Sequence, residues 1–402
     1  MKVKLRACIA GALALSTAAG AANAADTIQI GAPLELSGRF VAFGAAGKRG
    51  AEMALETFKG EVNGKKVEFL FRDIQSDPQA AVASINELTE QTKVKYIFGP
   101  IASVMFAAVI PAWRQQKPVW IGHGSVTTRT EEEVGGERRF FHTYPYAYHY
   151  HQTMSAGLKS IIGSGKKIVI VYSDDAYGRT SLPFARQFYK EAGFEIAGEE
   201  LVRQGAADYN PILTKIRRLR PEALVTLVQT SDLVTLAKQI KIAGINIPYL
   251  VDGLDVLLEE WQKAAGDAQE GWIGLSGYIH GMERPASKDR PDIFPSLSDW
   301  EKRFRDKYQV EPTYLDAGAY SAASLLLMAL EKAGDDPDKV VEELEKLNTE
   351  TLVGPGRFTK TSTGGTVHQA FESLMIAQRQ NGKSIILYPP EVKTGEIKAR
   401  TE

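Results

Sequence analysis

The chain has 402 residues, and its 48 Lys and Arg nearly balance 49 Asp and Glu, for a formal net charge of −1. That balance argues against a nucleic-acid partner and against electrostatic docking on anionic lipid. The single cysteine, Cys8, falls in an N-terminal leader, so the rest of the chain can carry no disulfide, thiolate metal site or cysteine nucleophile.

The leader opens with Lys2, Lys4 and Arg6, runs through uncharged small and apolar residues over 7–21, and ends on Ala22-Asn23-Ala24. This is the three-part layout of a secretory signal peptide, and its apolar run is too short to span a membrane. Cleavage after Ala24 would leave 402 − 24 = 378 residues carrying 45 cationic and 49 acidic side chains, enough for two domains with substantial cores. The longest later apolar stretch, 317–330, reads as a buried helix and not as a membrane span.

From 28 onward, strand and helix patterns alternate. Strands are expected at 28–34, 67–71, 96–99 and 118–121, with helices at 47–58, 78–91 and 103–116 between them. The pattern restarts with strands at 168–172, 195–201, 223–228 and 248–251, and helices at 178–192, 210–219 and 233–243. These strands are short and nearly continuously apolar, as parallel strands covered on both faces are. Two consecutive doubly wound α/β units follow, each with ligand-accessible loops at the carboxyl ends of its strands. Residues 283–295 are polar and carry three prolines, an irregular excursion. Helical periodicity returns at 297–308, 315–333 and 337–347, and strands at 371–378 and 385–388 close the chain.

Several stretches carry a family resemblance in their order and spacing. They are Ile30-Gly31-Ala32-Pro33-Leu34 with Ser37-Gly38, Phe43-Gly44, Gly50-Ala51-Glu52, Asp77-Pro78-Gln79-Ala80-Ala81 and Tyr96-Ile97-Phe98-Gly99-Pro100. Further along come Asp175-Ala176-Tyr177-Gly178, Ala243-Gly244, Tyr320-Ser321-Ala322-Ala323 and Gly354-Pro355-Gly356-Arg357-Phe358. Together they resemble the periplasmic binding proteins of the leucine/isoleucine/valine family, which serve ABC importers. The resemblance implies the type I periplasmic binding fold, two lobes joined by three crossover strands and closing on a ligand by hinge motion. Crossovers would fall near 141–144, 273–277 and 353–358. The first lobe would comprise 25–142 and 277–352, and the second 143–276 and 353–402. The resemblance further implies a periplasmic protein and a monomer, with a small-molecule carboxylate as ligand, an inner-membrane ABC permease as partner, and no cofactor.

Ser103 opens a helix after strand 96–99, where free backbone N–H groups and the helix dipole favour an anion. It would equally serve as an ordinary N-cap. The family places a carboxylate-binding serine there. The next loop would add Gly124, Ser125, Val126 and Thr127, or else these serve only the turn. Phe43 would cover the cleft or simply pack on the first helix. In the second lobe Tyr177 would stack on the ligand or start a helix half-buried. Asp252 corresponds to the acid that pairs with a ligand ammonium in amino-acid binders, although a carboxylate there also suits a helix cap. Gln229, Tyr144 and Tyr146 are placed by the strand-end rule and the hinge.

Two departures make the cleft more apolar than the family pattern: Ser103-Val104-Met105-Phe106 replaces a run of hydroxyl residues, and Val126 stands where threonine is common. The tyrosine-rich stretch 144–151 would line a pocket for an aromatic acid, or equally form a half-buried surface strand or helix start. Branched-chain or related amino acids are thus one ligand class, and amine-free aromatic carboxylates (benzoates, hydroxycinnamates) or small amides are another. A hydrolase reading finds no Gly-x-Ser-x-Gly elbow around Ser125 and no nucleophile–base–orienter set, so no catalytic residue is assigned. His142, His149 and His151 lack a second ligand cluster at zinc spacing, so no metal site is assigned, and Glu131-Glu132-Glu133 reads as a solvated face.

Overall fold

A computed structural model describes residues 27–400, so the leader and its cleavage site at Ala24 lie outside the described residues. The first lobe is built on a six-stranded sheet. Its strands are β1 (Thr27–Leu34), β2 (Glu61–Val62), β3 (Lys65–Asp73), β4 (Tyr96–Phe98), β5 (Val119–Gly122) and β6 (Phe140–His142), in spatial order β2-β3-β1-β4-β5-β6. Apart from the β2–β3 hairpin, neighbouring strands run parallel. Helices α1 (Val41–Thr57), α2 (Pro78–Asn86), α3 (Ser103–Gln116) and α4 (Thr128–Val134) supply the crossovers. Strands β4 and β5 are buried throughout, which is why their sequences are continuous apolar runs and not alternating ones.

The chain then crosses into α5 (Ala147–Ile162) and a seven-stranded sheet. Its parallel part holds β7 (Lys167–Ser173), β8 (Glu195–Val202), β9 (Ala223–Leu227), β10 (Tyr249–Val251) and β11 (Trp272–Ser276). Helices α6 (Ala176–Glu191), α7 (Asn210–Leu219), α8 (Thr230–Ile242) and α9 (Glu259–Ala265) lie between them. After β11 the chain returns to the first lobe as α10 (Leu297–Tyr308), α11 (Tyr314–Ala333) and α12 (Pro337–Glu345). A hairpin, β12 (Thr349–Thr351) and β13 (Gly354–Gly356), follows. Finally β14 (Met375–Gln380) and β15 (Lys383–Tyr388) add antiparallel to the edge of the second sheet beside β11.

Helix α11 is apolar all round and buried from Tyr314 to Leu330, because it lies against α1 instead of facing water. An Arg49–Asp316 ion pair of 2.8 Å joins the two helices. The start of α1 is fixed by an even closer approach. A Cβ built on Gly44 would sit 2.2 Å from the carbonyl oxygen of Glu35 and 2.4 Å from its carbon. Both clashing atoms are backbone, so Gly44→Ala should cost about 3 kcal/mol, at the upper end for overpacking. Urea unfolding should show it as a lower midpoint with an unchanged slope.

Several sequence expectations change. Glu131 is not on a solvated face: it is 2 % exposed. Its carboxylate accepts from Thr361 Oγ1, Thr363 Oγ1 and the Thr366 N–H, three donors that offset its lost hydration. That clasp, with the bridge of His142 to Gln369, keeps residues 361–369 against the first lobe. Of the 353–358 expected as the third crossover, 354–356 form β13, and the chain joins the second sheet only at Met375. Within 144–151, where a helix start was one of the alternatives, α5 begins at Ala147. The expected crossover at 273–277 is mostly strand β11, paired to β10 and β14.

Candidate functional site

Between the carboxyl ends of the two parallel sheets lies a cavity of about 220 Å³. One wall is the start of α3. Its N-cap, Ala102, is extended (φ −67°, ψ 136°) and offers no side-chain acceptor to the first turn. The N–H groups of Ile101 and Ala102 both donate to the buried Glu35 carboxylate, Ala102 at 2.9 Å. The N–H groups of Ser103 and Val104, which line the cavity, have no acceptor among the described residues. Ser103 Oγ accepts from the Val126 N–H at 3.1 Å, which ties the two loops together and leaves its own hydrogen free to donate. An uncapped helix start with a serine hydroxyl beside it is an anion site.

Of the following loop only Ser125 and Val126 reach the cavity. Ser125 has φ +64°, and its Oγ is paired with Thr130 Oγ1 at 2.7 Å, so its hydroxyl is engaged within the protein. Gly124 and Thr127 do not line the cavity. Gly124 has φ +157°, and a Cβ there would sit 2.2 Å from the Ile101 carbonyl oxygen; only glycine lets the two loops meet. Thr127 Oγ1 caps α4 by accepting from the Arg129 N–H. The hydroxyls of Ser125 and Thr127 are thus engaged in building the wall. Phe43 does line the cavity, stacked on Phe40 with centroids 5.8 Å apart. Arg39, exposed at the mouth, places its guanidinium 4.6 Å from the Phe40 centroid.

The opposite wall is acidic. Asp175 caps α6 through the Gly178 N–H at 2.8 Å and accepts from Gln229 Nε2 at 2.9 Å. Both Asp175 and Gln229 line the cavity, as does Tyr177. Asp252 stands one layer behind, 4 % exposed. Its Oδ1 accepts from Thr226 Oγ1 at 2.7 Å, while Oδ2 has no partner among the described residues. The carboxylate that faces the cavity is Asp255, three residues on, in the turn Asp255–Leu257. Burial raises both carboxyls, Asp255 to about 6, and the Asp255 charge pushes Asp252 up further. No cation contributes to either shift. Two neighbouring carboxylates without a counter-ion make this wall electrostatically unsatisfied.

The deep end is aromatic: Tyr144, Tyr150 and Tyr314, with the rings of Tyr144 and Tyr314 6.5 Å apart. Tyr146 points elsewhere, stacked on His142 and bonded to Thr366 Oγ1. Sequence reasoning thus gathered seven cavity residues (Phe43, Ser103, Ser125, Val126, Tyr144, Tyr177 and Gln229), reached Tyr150 only as part of the aromatic stretch 144–151, and missed Arg39, Asp255 and Tyr314. Asp255 was within reach, since Asp252-Gly253-Leu254-Asp255 offers two acids on one loop; Tyr314, at a distant helix start, carried no such sign. Among the described residues no cluster of three His, Cys, Asp or Glu side chains could hold a metal, and no helix is long and apolar enough to cross a membrane.

Residues 27–383 match the family described as periplasmic binding proteins. A Leucine-, isoleucine-, valine-, threonine-, and alanine-binding protein of Pseudomonas aeruginosa is 26 % identical over 358 residues, covering 85 % of this chain and 88 % of the relative. Among solved structures, a branched-chain amino acid transporter substrate binding protein of Streptococcus pneumoniae in complex with isoleucine superposes with a TM-score of 0.75 at 22 % identity, over 89 % of this chain and 97 % of that one. A solute binding protein from R. palustris in complex with benzoate gives the same TM-score at 18 % identity, over 94 % and 98 %.

Proposed function

The chain belongs to the periplasmic binding protein family, and from that premise we propose that it is the solute-binding component of an ABC transporter and that its ligand is a zwitterionic amino acid with an apolar or aromatic side chain. The observation that carries this reading is the opposition of charge across the cavity. The uncapped start of α3 faces a carboxylate, and the uncompensated Asp255, backed by Asp252, faces an ammonium. Phe43, Tyr144, Tyr150 and Tyr177 then surround the side chain. A second reading, an amine-free aromatic acid, rests on that ring-rich lining, and the benzoate-bound neighbour keeps it in view.

In this proposal the protein acts in the periplasm after cleavage behind Ala24, as a monomer. It holds the ligand without chemistry and presents its closed form to an inner-membrane permease. The first lobe takes 25–142 with 277–369, and the second 143–276 with 370–402. Closure is absorbed at 143–146, at Gly277 and at 370–374.

A thermal-shift panel followed by calorimetry tests the ligand class. A true ligand at 100 times its Kd adds about 2.7 kcal/mol of stability. The pH dependence separates the two readings. An ammonium prefers the charged form of Asp255, so amino-acid affinity should fall by up to about tenfold per pH unit below about 6, while an amine-free acid should bind more tightly over the same drop. An amino acid whose affinity is flat between pH 7 and 5 would remove Asp255 from the site.

A further inference from the structure

Behind the tyrosines lies a second chamber of about 30 Å³. The two spaces share Tyr144, Tyr150, Leu254 and Tyr314 as a common wall. Beyond that wall the chamber is bounded by apolar groups such as Val353, Phe371 and Leu374, and by His123. Its small polar groups are already paired: Ser276 Oγ accepts from the Tyr278 N–H, and Thr143 Oγ1 donates to the Gly122 carbonyl.

His123 is different. It is 1 % exposed, and its Nδ1 lies 3.1 Å from the Thr143 carbonyl oxygen, which can only accept. The Thr143 hydroxyl is also near Nδ1, at 3.4 Å, but the shorter contact to the carbonyl favours the ring proton on Nδ1, and burial holds the imidazole neutral by lowering its pKa to about 4. That makes Nε2 a bare acceptor, and it has no hydrogen-bond partner among the described residues. The Leu315 carbonyl beside the ring would pair only with the other tautomer; with the proton on Nδ1 it and Nε2 are both acceptors. Tyr150 Oη is buried as well and makes no hydrogen bond of acceptable geometry, although the Tyr144 hydroxyl lies beside it. Unpaired buried polar atoms are costly, and two that border one small chamber beside the main cavity point to something that enters it.

We propose that this chamber is a subsite for the tip of the ligand, where a hydroxyl donates to His123 Nε2 and accepts from Tyr150 Oη. The inference rests on the reading above, in which the carboxylate sits at the start of α3. The chamber has room for a water-sized group and none for a ring, so the ring stays in the main cavity among Phe43, Tyr144 and Tyr177. The ligand class is then a carboxylate whose aromatic side chain ends in a phenolic hydroxyl. Branched-chain side chains have nothing to offer Nε2.

Calorimetry with two matched pairs tests it: L-tyrosine against L-phenylalanine, and 3-(4-hydroxyphenyl)propionate against 3-phenylpropionate. In the full mature chain the hydroxylated member of whichever pair binds should be tighter by about tenfold or more, roughly what one well-made buried hydrogen bond supplies. Tyr150→Phe keeps the ring and removes only Oη, and His123→Phe removes the acceptor; each should bring the ratio within a pair close to one. If His123→Phe does not fold, Tyr150→Phe alone decides. Equal affinities in the unsubstituted protein mean that the chamber holds a water and overturn the proposal, as does a ratio that survives Tyr150→Phe. If branched-chain amino acids bind and neither pair does, the subsite fails while the reading of the main cavity stands. If no carboxylate binds at all, both fall.

Discussion

Asp255→Asn is expected to weaken an amino-acid ligand by at least about a hundredfold while leaving an amine-free acid no weaker. Truncating one partner of a buried charge pair costs about 2–5 kcal/mol, because the ammonium is left desolvated and alone. The same substitution should stabilise the empty protein at neutral pH. In the fold, burial raises the Asp255 carboxyl to about 6, above the ~3.9 of an unfolded chain. Between those values the native state binds more protons than the unfolded one, so stability from this group falls as pH rises through the window. Asparagine removes that cost and the charge that pushes up Asp252. Melting temperatures at pH 7.5, read beside calorimetric affinities, check both halves. A less stable variant that still bound its amino acid would mean that Asp255 serves the fold.

Ala102→Asp should abolish binding of every carboxylate ligand, zwitterionic or not, by a factor of about a hundred or more. Its backbone is already that of an N-cap, so an aspartate there would bring its carboxylate to the first-turn amides that the ligand needs. The new charge also repels an incoming anion at close range, an effect of several kcal/mol in a desolvated site. Ala102→Ser, which brings a hydroxyl to the same place without charge, should lose far less. Full-affinity binding by the aspartate variant would move the carboxylate to Arg39 or elsewhere. Together the two substitutions separate the ligand's ends: Asp255→Asn acts on the amine and Ala102→Asp on the acid.

Much of the scaffold was readable because parallel strands covered on both faces must be apolar throughout, as at 96–98 and 119–122, and because Ser103 follows such a strand directly. What stayed hidden depended on distant partners. Glu131 sits in a run of three acids and reads as solvated until Thr361, Thr363 and Thr366 close on it from more than two hundred residues away. Tyr314 faces the cavity only because α11 returns to the first lobe. Between Asp252 and Asp255 the sequence offers two acids on one loop, and the chain's path puts the first behind the wall and the second in it. Ser125 and Thr127 were legible as hydroxyls, but not their engagement. Thr130 Oγ1 and the Arg129 N–H occupy them in a turn whose shape the residues alone do not disclose.

The clasp on Glu131 also has a mechanical side. Were the chain free from Val353 onward, its third passage between the lobes would be a long slack cord, able to stretch, slide or coil. Pinned through Gln369, it becomes a stub of five residues, 370–374, running straight into β14. Short tethers transmit rotation and resist shear, so the closure proposed above would resemble a door on fixed pins, swinging along one arc and returning to the same stop.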